Sequence, residues 1–432
     1  MSQLRFVIQN WTGDAAADAS LERATLAELR IEADTDSGPV VLTEVHDQVA
    51  RTVRTHVVLP LYPLAEWLLI NWWRLRWEPR RYSPEWRMVH SLAAISGGDA
   101  WPPLDISSLG SFIQLDLLAE RWSPASVRYL YDTTVQVPAA DFETQVDRLV
   151  RQVQDRLSSL GRAPDDLEAL RRELEAERRD PTLARQCRLQ AEAGIDPGEA
   201  PDGWLEEVDE LEREAGEDST PEVLAILPSL HGCLFKAREA LEELRQSSQT
   251  IDLSWVPAGQ ASINGEVPWK VGARLAHDFR RQHGLSEDSP IPTSFFEERL
   301  GTKLPLSKSS ELSLGAFRPE PNQERTSLLV TSQREESQRF LIARLIACSL
   351  VTSKKNRLLP VTQAATALQK LERSFGQELL CPWQALDELT DHAGTEDEGI
   401  SQAADLFNVS ERVVLSTLVN KKKIPRHRLE QA

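Results

Sequence analysis

The sequence predicts an α+β protein, mostly helical, in three parts: an N-terminal α/β module over 1–150, a charged helical region over 151–260 and a third domain over 261–432. Three observations carry this. A chain of 432 residues is long enough for two or three separate cores. Period-2 alternation with β-branched residues recurs before residue 140, as in "LAELRIEA" and "TVRTHVVL". From about 165 to 250 the composition shifts to charged blocks with apolar residues at helical spacing, which reads as packed helices with solvated faces.

The elements follow in order. After the two alternating runs, "LAEWLLINWWRLRW" has no alternation and suits a helix carrying Trp67, Trp72, Trp73 and Trp77. "SGGDAWPPLDISSLGS" is loop chemistry, and "FIQLDLLAE" and "VRYLYDTTVQV" read as strands. "AADFETQVDRLVRQVQDRLSSLG" begins a helix with Asp141 as its expected N-cap. "DDLEALRRELEAERRD" and "GWLEEVDELEREAG" are the charged helices, separated by the loop "GIDPGEAPDG". The third region offers helices at "VPWKVGARLAHDFRRQHGLS" and "PTSFFEERLG", then strands at "ELSLGAFRP" and "TSLLVTS". Three helical stretches close the chain: "ESQRFLIARLIACSL", "TALQKLERSFGQELL" ending at Pro382, and a pair around "ISQAADLFNVSERVVLSTLVNKKKI".

Composition excludes several classes. A net charge of −18 argues against wholesale coating of nucleic acid or an anionic membrane. The four cysteines, Cys187, Cys233, Cys348 and Cys381, form no CxxC pair, which points to a reducing compartment rather than a disulfide framework or zinc ribbon. No basic region followed by an apolar core opens the sequence. The most membrane-like run, 57–73, is broken by Pro60, Pro63 and Glu66, so no membrane association is expected and the protein reads as cytoplasmic.

The chemistry-bearing stretch is "RFLIARLIACSLV", followed by "LQKLERSFGQELLCP". Arg339, Phe340 and Ala343 in the first, with Phe375, Gly376, Leu379, Leu380 and Pro382 in the second, make the order of elements similar to the ImmA/IrrE family of zinc peptidases. That family reads R-F-x-x-A-H-E-x-G-H on one helix and E-x-x-A-N-x-F-A-A-x-L-L-M-P on the next. The tail "AADLFNVSERVVL" and the N-terminal "YPLAEWLLINWW" resemble further segments of its longer members. The resemblance implies a zincin-like C-terminal domain and a setting in bacterial stress, toxin–antitoxin or phage-related systems.

The ligands themselves are replaced. Aligned without gaps, the two histidines fall on Arg344 and Cys348, the general-base glutamate on Leu345 and the third ligand on Gln369. Catalytic zinc needs three protein ligands and an open water position. A permanent guanidinium repels the cation, and leucine takes no proton from water. The expectation is therefore a catalytically inactive metallopeptidase-like protein without metal or cofactor, acting by binding a protein partner as a regulator, sensor or subunit. An apolar helix with Arg344 at its centre needs an internal counter-charge, for which Glu372 comes first and Glu378 second. Two alternatives stay open: an active peptidase with displaced ligands such as Glu372, and a DNA-binding regulator. For the latter, Asn408 would turn between two helices, and Ser410, Arg412, Lys421, Lys422, Lys423 and Arg426 are the candidate contacts. Cys348 as a nucleophile is the weaker reading, since no histidine is near it in sequence. Trp67, Trp72, Trp73, Trp77 and His90 are candidates for a groove, against an aromatic core as the commoner outcome.

Overall fold

The computed structural model describes residues 3–14, 16, 20–35, 38–95, 100–119, 127–162, 165–227, 233–263, 265–310, 314–318, 325–425 and 427–430. The fold is α+β with several small sheets, and every strand pairing among the described residues is antiparallel. The N-terminal part is thus not α/β in the parallel sense: the helical connection between Val57–Pro60 and Leu104–Leu109 joins strands of two different sheets and makes no parallel crossover. The chain divides into two compact units, Met1–Asp202 and Gly203–Ala432. The charged helices expected as a middle region fall on both sides of that division.

In the first unit the strand Leu26–Thr35 is the centre of a four-stranded sheet, paired with Leu4–Trp11, Gly38–Val41 and Val57–Pro60. Its alternation is read literally by the fold: Ala27, Leu29, Ile31 and Ala33 are all fully buried. The run "TVRTHVVL" is not one strand. Thr52–Arg54 joins a three-stranded sheet with Val45–Asp47 and Val127–Tyr129, while Val57–Pro60 belongs to the larger one. The stretch expected as loop contains the strand Leu104–Leu109, which forms a hairpin with Phe112–Leu117 through Gly110 at φ +68°. It escaped a hydrophobicity reading because Asp105, Ser107 and Ser108 are buried polar residues. Asp141 is not the N-cap either: Pro138 holds that position for the helix Ala139–Ser159, and the Asp141 carboxylate accepts the Leu4 backbone N–H.

The tryptophan segment forms two helices, Leu61–Ile70 and Trp72–Trp77, broken at Asn71. They pack on the helices Ala139–Ser159, Asp165–Arg179 and Pro181–Ala193 and on the strand Leu104–Leu109. The core of this unit runs from Leu4 to Ala191 and includes Leu167, Leu174 and Cys187. Residues beyond 150 therefore complete it.

The second unit holds a sheet ordered Thr250–Ile251, Thr326–Leu328, Gly315–Phe317, Leu358–Pro360. The helices Glu335–Val351 and Leu234–Gln246 pack on it, Ala367–Leu380 packs on Glu335–Val351, and Pro268–Gln282 packs on Ala367–Leu380. Gly272 explains how closely the last two approach: a Cβ there would lie 2.3 Å from the Leu371 carbonyl oxygen. Arg280, fully buried, donates to the Leu379 carbonyl at the end of Ala367–Leu380, satisfying an orphaned helix acceptor. A helix not anticipated, Trp383–Ala393, starts directly after Pro382.

Candidate functional site

Glu335–Val351 is buried on nearly all sides, from Gln338 through Leu350. Both its ends are tied. Arg339, buried near the start, donates to Thr293 Oγ1 at 2.7 Å and to the Ile291 carbonyl at 2.8 Å. Near the C-terminus, Arg318 donates to the Ser353 and Asn356 carbonyls at 2.6 and 2.9 Å. Phe340 lies against Gly376 on Ala367–Leu380, where an added Cβ would come within 2.8 Å of its ring. Thr366 caps that second helix by accepting the Gln369 backbone N–H. The framework residues quoted for the two motifs thus hold two helices in register.

That register brings Arg344, Cys348, Gln369 and Glu372 together. Arg344, 5% exposed, donates through Nη2 to the Thr362 carbonyl at 2.7 Å and to Gln369 Oε1, with Glu372 Oε2 at 3.4 Å. Gln369 accepts the Thr362 N–H at 2.8 Å and donates to the Pro360 carbonyl and to Glu222 Oε2, each at 2.9 Å. The Glu372 carboxyl meets the Cys348 thiol. Leu345 is fully buried and contributes only packing. Glu378 is not Arg344's partner; its carboxylate accepts the Trp383 N–H at 3.1 Å and faces His277 at 3.3 Å.

Electrostatics decide what this cluster can do. Burial pushes the Glu372 carboxyl up to about 8, against the opposing pull of Arg344. Desolvation also lowers Arg344 from its ordinary value, with Glu372 resisting. At neutral pH the pair is therefore largely a guanidinium hydrogen-bonded to a protonated acid, with Gln369 and Thr362 supplying acceptor oxygens. The Cys348 thiol is pushed well above its usual range, first by burial and then by Glu372. A nucleophilic cysteine needs the reverse. Among the described residues no three His, Cys, Asp or Glu side chains form a group that could hold a metal.

Sequence reasoning missed Glu222, Thr362, Thr366 and Arg373. Glu222 is 5% exposed and accepts from Thr366 Oγ1 at 2.7 Å. An acid inside the run "TPEVLAIL" was the available signal. Arg373 donates to the Thr362 and Ala364 carbonyls at 3.2 and 2.8 Å.

The groove candidates form core instead. Trp72 and Trp73 are buried, and Trp73 Nε1 donates to Glu177 at 2.7 Å. Trp67 and Trp77 are half-buried against the same core, Trp77 with the guanidinium groups of Arg76 and Arg188 over its ring at 3.9 and 4.4 Å. His90 is fully buried, stacked on Trp86 at 4.1 Å, with Nδ1 2.7 Å from the Ile106 carbonyl and Nε2 2.9 Å from Glu78. Both ring nitrogens are committed, so the imidazole is neither a free ligand nor part of a groove wall.

The C-terminal pair is Asp397–Phe407 and Glu411–Asn420, with Asn408 left-handed at φ +49° between them as the turn requires. Ser410 occupies the N-cap but makes no side-chain capping bond. Arg412, Lys421 and Lys422 are exposed, whereas Lys423 is held by Asp387 and Asp391. Arg426 lies outside the described residues. Asn408 Nδ2 donates to Glu335 at 2.7 Å, tying this turn to the first turn of the Arg344 helix.

Compared with protein-family models, curated protein sequences and solved structures, the chain gives no match.

Proposed function

We propose that the second unit is a degenerate relative of the ImmA/IrrE zinc peptidases that works by binding a protein partner, in a cytoplasmic regulatory setting, and catalyses no hydrolysis. One observation carries the reading. Arg344, Cys348 and Gln369, the positions that would be ligands, converge on each other's neighbourhood from two helices, through Glu372 where they do not touch directly. A guanidinium with its acceptors fills the place a metal would take. A nearby cation is what a peptidase with displaced ligands could least tolerate.

Restoring the motif tests this. The combined change Arg344→His, Leu345→Glu, Cys348→His and Gln369→Glu is expected to yield a folded protein with about one zinc per chain after dialysis. The parent is expected to retain none. A folded quadruple variant that binds no zinc overturns the zincin-like geometry; stoichiometric zinc in the parent overturns the inactive reading.

DNA binding is a second reading, favoured by the left-handed turn at Asn408 and the exposed Arg412, Lys421 and Lys422. Against it, Asp397, Glu398, Asp405 and Glu411 share the same pair of helices, with Glu396 as the N-cap of the first. Salt-dependent DNA binding that disappears on neutralising Arg412, Lys421 and Lys422 together would establish it.

A further inference from the structure

A cleft of about 460 Å³ in the first unit is lined by His46, Gln48, Arg51 and Arg128. It stands on the sheet of Thr52–Arg54, Val45–Asp47 and Val127–Tyr129, whose register sets Val53, His46 and Arg128 in one row. Residues paired across strands share a face. The neighbouring row holds buried Val45 and Tyr129, so the His46 row is the outward one. Gln48 and Arg51 extend that face from the connecting turn.

The turn is shaped around Asp47, whose Oδ1 accepts the Val49 and Ala50 N–H groups at 3.0 and 2.8 Å. Its Oδ2 lies 3.0 Å from Arg54. Glu44, just before the strand Val45–Asp47, is engaged by the Tyr131 hydroxyl. The carboxylates of the neighbourhood are thus occupied. Arg51 and Arg128, both exposed, have no carboxylate partner among the described residues. By contrast Arg5, Arg30, Arg54, Arg74, Arg76 and Arg80 are each held by one. In a chain of net charge −18, unpaired cations meeting at one cleft are not a by-product of basic composition. Arg51 also sits at φ +53°, a left-handed position that glycine or asparagine fills at less cost. What an arginine adds there is a guanidinium on the cleft wall.

Two guanidinium forks, an imidazole and an amide form a receptor for a tetrahedral oxyanion. The volume exceeds one such anion and leaves room for an organic remainder. We infer that this cleft binds the phosphate group of a small phosphorylated ligand, Arg51 and Arg128 donating to its oxygens. The proposal stands on the first unit alone and is independent of the zincin-like reading.

The full chain is titrated by calorimetry at constant ionic strength with inorganic phosphate and with adenosine monophosphate. Both are expected to compete for one saturable site. Arg51→Gly, which keeps the left-handed turn, and Arg128→Gln, on the outward row, are each expected to weaken binding at least about tenfold with Tm unchanged. A nucleotide at least about tenfold tighter than phosphate marks an organic phosphate as ligand; equal affinities mark free phosphate. No saturable binding by about 10 mM of either overturns the proposal. So does binding that both variants retain, or full displacement by chloride at matched ionic strength, which is diffuse screening only.

Discussion

At the scale of the residue, Arg344 and Glu372 form a pair whose meaning depends on which partner is charged. With the Glu372 carboxyl raised to about 8, the native chain keeps a proton that the unfolded chain releases near 4.5, so stability falls as pH rises through that window. Glu372→Gln removes this loss. Relative to the parent it should gain on the order of 3 kcal/mol between pH 5 and pH 9 in denaturant titrations; parallel profiles would place Glu372 in water. Arg344→Leu removes the cation that serves Glu372, Gln369 and the Thr362 carbonyl, and should cost about 3 kcal/mol at pH 8. Adding Glu372→Gln should recover a good part of that cost. A single variant that melts like the parent would mean that Arg344 does not hold this cluster.

At the scale of the element, two glycines set how near the second-unit helices come. Gly272→Ala places a methyl against the Leu371 backbone, which cannot yield without moving the helix Ala367–Leu380. Gly376→Ala meets only the edge of the Phe340 ring, which can rotate. Thermal melts should therefore rank them, Gly272→Ala losing about 3 kcal/mol and Gly376→Ala about 1. Equal losses would mean that Phe340 is as fixed as backbone. The same elements show what was legible. The helices Glu335–Val351 and Ala367–Leu380 were readable from apolar spacing and a terminating proline. The strand Leu104–Leu109 was not, because Asp105 is buried beside Arg80, a partner 25 residues away.

At the scale of the whole molecule, the division at Asp202 and Gly203 makes a fragment prediction. Residues 1–202 should be soluble and melt cooperatively. Residues 1–150 should not, since they cut the helix Ala139–Ser159 and remove Leu167, Leu174, Cys187 and Ala191 from the core, together with Glu177 from Trp73. Circular dichroism melts of the two fragments decide it; a cooperative transition in the shorter one would show that the later helices are accessory.

The sequence by itself determined the α+β class, most helices, the lack of a long apolar helix among the described residues and the absence of metal-ligating side chains at Arg344, Leu345 and Gln369. These rest on periodicity, length and side-chain chemistry, which are local properties. Only tertiary structure decided that one run splits between two sheets, that the tryptophans are core, that His90 is sealed between Trp86, Glu78 and Ile106, and that Glu222 joins Gln369. Each depends on partners far away in the chain, and local pattern carries no information about which distant group will satisfy a buried polar one.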